Sequence, residues 1–171
     1  MKSFLKDRSG TSGIEFALTA PIILLLFFGA VTVFDLYRAY WQLVQATYIV
    51  SDVVTRETAI DEAYVDRVYS VYVNLFNDAS RPTALRISSI AKDKNGFVLR
   101  WTTKRGDSSL LPVQKIDASK LPDIAETDSI IYVEGFSLKA AASGYLGFLN
   151  MNFAEQTYGR PRFINAIALT K

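Results

Sequence analysis

An uninterrupted apolar stretch near the N-terminus constrains this chain more than any other feature. The nineteen residues from Phe16 to Phe34 carry no charge, and twelve of them are Leu, Ile, Phe or Val. At a rise of about 1.5 Å per residue they form a helix of roughly 28 Å, close to the thickness of the hydrocarbon core of a bilayer. The stretch therefore predicts a transmembrane segment, which we assign to residues 11–34.

The charges on the two sides of this segment predict its orientation. Residues 1–10 hold three cations and one anion, whereas Asp35 and Arg38, just beyond the apolar stretch, balance each other. An excess of Lys and Arg marks the cytoplasmic side of a membrane. We therefore expect a basic leader (1–10) inside the cell and a head domain with a helical stalk (35–171) in the periplasm of a bacterium. A cleavable secretory signal would need a small-x-small site after its apolar core, and none follows Phe34.

A glycine, a glutamate and a proline stand at defined positions around the start of the apolar stretch. Gly10 follows the basic leader, Glu15 stands five residues later, and Pro21 lies early in the apolar stretch. The run from Ser9 to Pro21, SGTSGIEFALTAP, resembles the class III signal of the TadE-like pseudopilins of tight-adherence (Tad/Flp) type IVb pilus systems. The resemblance in motif extends over residues 9–41, and beyond them it concerns the architecture alone.

The resemblance implies a processing step and a role for two residues in assembly. A prepilin peptidase would cut after Gly10 on the cytoplasmic face and make Thr11 the new N-terminus. Gly13 offers a second position for the cut, but cleavage there would leave Glu15 as the second residue instead of the fifth, so Gly10 is preferred. The Glu15 carboxylate is then expected to pair with the freed α-amine of Thr11 on an adjacent subunit. Opposite charges in a medium of low dielectric relieve each other's cost of desolvation.

Phe16 refines the implied function. Major pilins of these systems usually have Tyr after the Glu, so Phe16 favours a minor pilin or an assembly factor over the main fibre subunit. The implied partners are the prepilin peptidase, other pilin or pseudopilin subunits, the inner-membrane assembly platform and the membrane, and entry into an extracellular pilus stays open.

Pro21 removes one hydrogen bond of the helix backbone and either kinks the helix or is harmless near its start. An unprocessed, signal-anchored periplasmic binding or scaffold protein is the alternative.

The composition offers little for catalysis. The chain has no Cys and no His, so it lacks thiolate ligands and the commonest general base. A net charge of +2 is too small to suggest a nucleic-acid partner. No phosphate-binding glycine loop or nucleophile elbow occurs in the sequence. We therefore predict a protein without enzymatic activity and without a cofactor.

Carboxylates in a long polar loop are the one group that could bind a metal ion. Between residues 107 and 128 the chain carries Asp117, Asp123, Glu126 and Asp128. Ca²⁺ takes oxygen ligands from such loops, but this spacing matches no EF-hand. A solvated acidic loop is the preferred interpretation, and no metal site is predicted.

Apolar periodicity predicts two helices in the head domain. An apolar stripe continues from the membrane segment with alternating steps of four and three, which predicts one long amphipathic helix. The stripe consists of Leu36, Tyr40, Leu43, Thr47, Val50 and Val54. A second helix is expected at about residues 62–77, with Asp61 as its N-cap and Pro82 beyond its end.

The pattern changes from helical to alternating after residue 84 and predicts an antiparallel sheet of about four strands. Residues 85–90 and 97–103 flank a hairpin turn that ends in Asn95-Gly96. Residues 129–139 predict a third strand, with a bulge at Gly135, and residues 163–170 predict a closing strand. The side chains of Phe97, Leu99 and Trp101 are expected to share the face that lies on the long helix. The fold class is thus α+β and pilin-like, with loops at 104–129 and 140–159.

Overall fold

The structure, a computed structural model, describes residues 11–78, 80–94, 96–140 and 151–170. The predicted leader, including Gly10, and residues 141–150 of the second predicted loop lie outside this part of the chain. Within the described residues, two α-helices and six strands follow one another: α1 (Thr11–Val54), β1 (Ala59–Asp61), α2 (Glu62–Asn74), β2 (Thr83–Asp93), β3 (Gly96–Gly106), β4 (Ser129–Lys139), β5 (Met151–Gly159) and β6 (Ala168–Thr170).

The first helix, α1, is continuous over 44 residues, about 66 Å at the usual rise per residue. The apolar stretch and the amphipathic stretch therefore form one helix, as predicted, and Pro21 lies inside it without ending it. The predicted apolar stripe faces the head domain. Its members Leu36, Leu43, Thr47, Val50 and Val54 are buried, and Tyr40 is half-buried.

The head domain contains the predicted antiparallel sheet of four strands, in the order β3-β2-β4-β5. The second half of α1 packs across β4 and β5, while α2 lies near β3. A separate pair of short parallel strands, β1 and β6, joins the C-terminal end of the chain to the segment that follows α1. The Thr170 hydroxyl donates a hydrogen bond to the Ile60 carbonyl at 3.1 Å and strengthens this connection. The α+β fold class is confirmed.

The fourth strand of the sheet differs from the prediction. Residues 151–159, which were expected to be loop, form β5 and pair with β4. In the predicted closing strand only residues 168–170 are extended, and they pair with β1 outside the main sheet. The alternation in 151–159 is masked in the sequence because Asn152, Glu155 and Gln156 interrupt the apolar pattern, as is common in a strand at the edge of a sheet.

A bulge in the first hairpin reverses the faces that were predicted for β3. Ser89 pairs with Trp101 but Ile90 pairs with Leu99, so Arg100 is an extra residue on β3. An extra residue moves the side chains beyond it to the opposite face of the sheet. Trp101 consequently packs against the helix-side core, where its indole N–H donates to the Ile167 carbonyl at 2.8 Å. Phe97 and Leu99 lie on the other face, so the prediction of one shared face was wrong.

Gly135 allows α1 to approach the sheet closely. It pairs regularly with Leu85 on one side and Glu155 on the other, so the bulge predicted at this position is absent. A Cβ atom built on Gly135 would lie 2.2 Å from the Thr47 hydroxyl oxygen and 2.8 Å from the Tyr72 hydroxyl. No residue with a side chain fits here unless the helix moves away from β4.

The second helix, α2, begins at the predicted N-cap. The Asp61 carboxylate accepts a hydrogen bond from the Tyr64 amide at 2.6 Å, and α2 ends at Asn74, one turn earlier than predicted. The buried residues Val65, Val68 and Tyr72 attach it to the core.

Loss of this cap is expected to weaken the head domain modestly. Asp61→Ala leaves an amide at the start of α2 without its acceptor and should lower the free energy of unfolding by about 1 kcal/mol. Asp61→Asn, which can still accept the hydrogen bond, should change it by only a few tenths of that amount. Urea unfolding of the two variants in parallel measures the difference. Equal destabilisation by Ala and Asn would contradict a capping role.

Candidate functional site: the exposed half of the long helix

The N-terminal half of α1 presents apolar side chains that nothing in the described structure covers. Phe16, Leu25 and Phe34 are 70%, 72% and 67% exposed, and the same holds for most large side chains between them. Monomeric soluble proteins rarely expose an apolar surface of this size. The helix is long and apolar enough to cross a membrane, with a mean hydropathy of 2.4 over its most apolar window, of which 6% is buried.

The predicted site residues stand at the start of this exposed half. Thr11 is the first residue of α1, Glu15 lies one turn further on, and the Phe16 side chain is exposed. Within the described ranges, no hydrogen bond or ion pair reaches the Glu15 carboxylate, which is exposed. The Glu15 backbone carbonyl accepts a hydrogen bond from the Thr19 hydroxyl at 2.9 Å. The structure thus places a carboxylate at the end of the apolar surface, four residues from the helix start.

Pro21 lies in the same stretch, one turn beyond Ala17. Because proline has no amide hydrogen, the Ala17 carbonyl receives no hydrogen bond from position 21. The helix nevertheless continues to Val54.

The apolar surface ends where α1 enters the head domain. Tyr37 and Trp41 are 58% and 46% exposed, and their rings meet edge to face with centroids 6.1 Å apart. Amphipathic aromatic rings favour the interface between membrane and water. Beside them, on the side of the helix that faces the head domain, the Tyr40 hydroxyl donates to the Glu155 carboxylate at 3.1 Å, and its ring packs on Phe153. This hydrogen bond and the charge of Glu155 raise the pKa of the Tyr40 phenol.

The long polar loop folds across the face of the sheet that is turned away from the helices. Arg86 of β2 donates to the Pro112 carbonyl at 2.5 Å, and the Gln114 amide donates to the Ser88 hydroxyl at 2.7 Å. A cavity of about 620 Å³ remains between this loop and the sheet. The same face holds a buried ion pair, in which an Arg86 nitrogen lies 3.2 Å from a carboxylate oxygen of Glu134.

Four of the five acidic residues between positions 107 and 128 have structural partners. Asp107 and Asp117 accept hydrogen bonds from the amides of Ser109 and Ser119, each capping a short turn of 3-10 helix. Asp123 lies 2.5 Å from the Lys92 ammonium group, and Asp128 pairs with Arg160. Among the described residues, no three carboxylates come together in a way that could hold a metal ion.

Two clusters of charged side chains were not predicted from the sequence. The buried pair of Arg86 and Glu134 joins residues that are 48 positions apart. At the end of the head domain from which the apolar half of α1 emerges, Lys139 of β4 approaches Asp35 of α1 at 3.6 Å, and Arg81 is buried beside them. These contacts depend on strand pairing and helix docking over long distances along the chain. No local sequence signal could have revealed them.

Comparison with known proteins identifies one family. The family model described as TadE-like protein matches residues 10–52, the segment that holds Glu15, Pro21 and most of α1. No curated protein and no solved structure matches the chain. Over residues 10–52 the chain is therefore similar to the TadE-like proteins, in agreement with the resemblance seen in the run from Ser9 to Pro21.

Proposed function

We propose that this protein is a membrane-anchored pseudopilin or minor pilin, which a prepilin peptidase processes and which takes part in assembling a Tad-type pilus or a related secretion filament. The observation that carries the proposal is the exposed apolar half of α1, preceded by Gly10 at the spacing from Glu15 that pilin processing requires. The match to TadE-like proteins over residues 10–52 supports it. The protein acts as a structural subunit, not as an enzyme.

In this proposal the apolar half of α1 crosses the bacterial inner membrane once. The basic leader, residues 1–10, stays in the cytoplasm, because Lys and Arg are retained on that side. The transmembrane segment spans residues 11–34, and the stalk and head domain, residues 35–171, lie in the periplasm. The partners are the prepilin peptidase, other pilin subunits and the assembly platform in the inner membrane.

Glu15 gives the subunit a means of joining its neighbours. After cleavage, the α-amine of Thr11 and the Glu15 carboxylate would lie one turn apart, about 6 Å along the helix axis. A parallel helix of a second subunit, displaced along the axis by that amount, brings its amine beside this carboxylate. In an apolar environment such a contact is strongly favoured over leaving both charges alone. Phe16 and Pro21 would shape the adjoining apolar contact surface.

The test of processing is the intact mass of the membrane-extracted chain, expressed with and without a prepilin peptidase from a Tad system. We expect loss of residues 1–10 only when the peptidase is present. Gly10→Val, which adds a branched side chain beside the scissile bond, should stay at full length, and Gly13→Val is the matched control that should still be cut. A full-length mass for the unaltered chain in both samples would contradict processing and favour an unprocessed anchored scaffold protein.

Substitution of Glu15 should separate assembly from processing. We expect Glu15→Gln to be cleaved after Gly10 but to crosslink at least about tenfold less to other pilin subunits, because it lacks the charge that pairs with the amine. Glu15→Asp keeps the charge on a shorter side chain and should be affected less. Quantitative crosslinking in membranes measures the difference. Undiminished crosslinking of Glu15→Gln would show that the carboxylate has no part in assembly.

A further inference from the structure

A charged cleft lies at the end of the head domain from which the apolar half of α1 emerges. It has a volume of about 290 Å³, and its walls come from three elements: α1, the segment after α2, and the end of β4. The residues that matter here are Asp35, Arg38, Gln42, Asp78 and Lys139. Three separate parts of the chain thus bring charges of both signs to one place.

The cleft is at the level of phospholipid headgroups if the apolar half of α1 spans the membrane, and in this respect the inference rests on the proposed function. Asp35 and Arg38 are the first and fourth residues after the apolar stretch, within about 6 Å of its end along the helix axis. The headgroup layer on each side of a bilayer is about 5–7 Å deep. The exposed rings of Tyr37 and Trp41 mark the same level on the outer side of α1.

The charged groups of the cleft are incompletely paired. One carboxylate oxygen of Asp35 is buried and accepts no hydrogen bond, since the Lys139 ammonium group stays 3.6 Å away. Arg38 is exposed and has no partner among the residues that the structure describes. The side chains of Lys139 and Asp35 are 24% and 31% exposed, so both stay accessible from the cleft although they pair with each other. A ligand that carries both donors and acceptors would complete this arrangement.

Arg81 is buried on the interior side of the cleft wall and stabilises it. Its guanidinium donates to the Ala39 carbonyl at 3.2 Å and to the Gln42 side chain at 3.4 Å, and it packs on the Phe76 ring. Its Nε atom is buried without an acceptor. Arg81 is only 6% exposed, and its guanidinium adds a fixed positive charge next to the cleft. The cations Arg38, Arg81 and Lys139 therefore outnumber the carboxylates Asp35 and Asp78 by one.

We propose that this cleft binds the headgroup of a membrane phospholipid of the phosphoethanolamine type. Arg38 and Lys139 donate charge-assisted hydrogen bonds to the phosphate, which is the strong form of such contacts. Asp35 and Asp78 accept hydrogen bonds from the ammonium group of the headgroup. The two carboxylates favour a headgroup with its own positive charge over a purely anionic one. The bound headgroup fixes the depth at which the head domain sits above the membrane.

The experiment uses the full chain reconstituted in nanodiscs of equal parts phosphatidylethanolamine and phosphatidylglycerol, followed by native mass spectrometry of the released protein. We expect one retained phosphatidylethanolamine per chain. Arg38→Gln, which alters an exposed residue and leaves the fold intact, should reduce the retained lipid about tenfold, and combination with Lys139→Gln should abolish it. Arg100→Gln, which removes an exposed arginine far from the cleft, should retain as much as the unaltered chain.

A second variant tests the choice of headgroup. Asp78→Asn keeps an acceptor for the Ser80 amide and hydroxyl, to which the Asp78 carboxylate is bonded at 3.2 and 2.7 Å, but removes the negative charge. Retention should then shift from phosphatidylethanolamine toward phosphatidylglycerol. Equal retention of both lipids by the unaltered chain, or unchanged retention by Arg38→Gln, would overturn the proposal.

Two further arms separate this proposal from its alternatives. Inorganic phosphate added to the lipid-free chain in detergent should bind only weakly, and binding as tight as that of the lipid would assign the cleft to free phosphate instead. Arg38→Gln should still be cleaved by the prepilin peptidase. For Arg38→Gln we expect loss of the retained lipid together with normal cleavage. Normal lipid retention by an unaltered chain that is not cleaved would contradict the proposed processing but not the proposed lipid binding.

Discussion

Replacing Gly135 by alanine is expected to lower the free energy of unfolding of the head domain by about 3 kcal/mol, at the upper end of the usual cost of overpacking a core. The added Cβ would lie 2.2 Å from the Thr47 hydroxyl oxygen and 3.1 Å from a methyl carbon of Leu43. Both residues are fully buried, and the Thr47 hydroxyl is already held by the Leu43 carbonyl at 2.9 Å. The added methyl group therefore forces these buried side chains, or the helix that carries them, to move away from β4, which disrupts the packing of the core.

Urea unfolding followed by tryptophan fluorescence measures this loss. Gly29→Ala is the control, since a Cβ at that position of α1 meets nothing within 4 Å and should leave the stability of the head unchanged. Thr47→Ala combined with Gly135→Ala removes the nearest clashing atom and should recover part of the loss. A Gly135→Ala variant as stable as the unaltered chain would mean that α1 does not rest on β4 at this point.

Removal of Arg86 is expected to be as damaging, and its effect should depend on pH. Arg86 and Glu134 are both nearly inaccessible, at 3% and 4% exposure. Arg86→Met leaves a buried carboxylate without its counter-ion and the Pro112 carbonyl without its donor. Breaking a buried ion pair on one side costs about 3–5 kcal/mol. We expect a loss of this size in the free energy of unfolding near pH 8.

The sign of the pH effect follows from Glu134. Burial already raises the pKa of this carboxyl group, although Arg86 counteracts the shift, and without Arg86 it rises further. A carboxyl group with a higher pKa in the folded than in the unfolded state favours folding at low pH, and this stability is lost as the pH rises through the folded pKa. The penalty of Arg86→Met should consequently shrink when urea unfolding is repeated near pH 5.

Two controls make this result interpretable. Arg86→Met combined with Glu134→Leu removes both charges and should recover most of the stability, because an apolar pair often replaces a buried ion pair without loss. Lys92→Met breaks the exposed pair with Asp123, whose side chain is 89% exposed, and should cost less than about 1 kcal/mol. A penalty of Arg86→Met that stays constant from pH 5 to pH 8 would contradict the role assigned to Glu134.

The helical half of the fold was predictable because its signals are local. The charge-free stretch from Phe16 to Phe34 and the stripe from Leu36 to Val54 lie on one helix and need no knowledge of the sheet. The cap at Asp61 and the hairpin turn at Gly96, where φ is +119°, are likewise encoded in neighbouring residues. The resemblance to TadE-like proteins rests on the same local signals.

The sheet was predicted less well because its order depends on contacts between distant residues. The residues around Arg100 carry no signal that predicts the bulge between Leu99 and Trp101. The sequence of β5 is polar, although this strand pairs with β4. The charged cleft could not be foreseen either, since Asp35 and Lys139 meet only after α1 has docked on the sheet. The role of Gly10 stays a prediction from the sequence.

The unbroken course of α1 has a mechanical consequence. The same helix that is proposed to lie in the membrane packs across β4 and β5 of the head domain, and it is continuous between the two parts. A force that pulls the subunit out of the bilayer along the helix axis would load the contact between α1 and the strands β4 and β5 in shear. Interlocking of Thr47 with the gap at Gly135 resists sliding in this direction. Under tension or torque, the head domain would therefore move together with the membrane helix as one rigid body and would not rotate about a hinge.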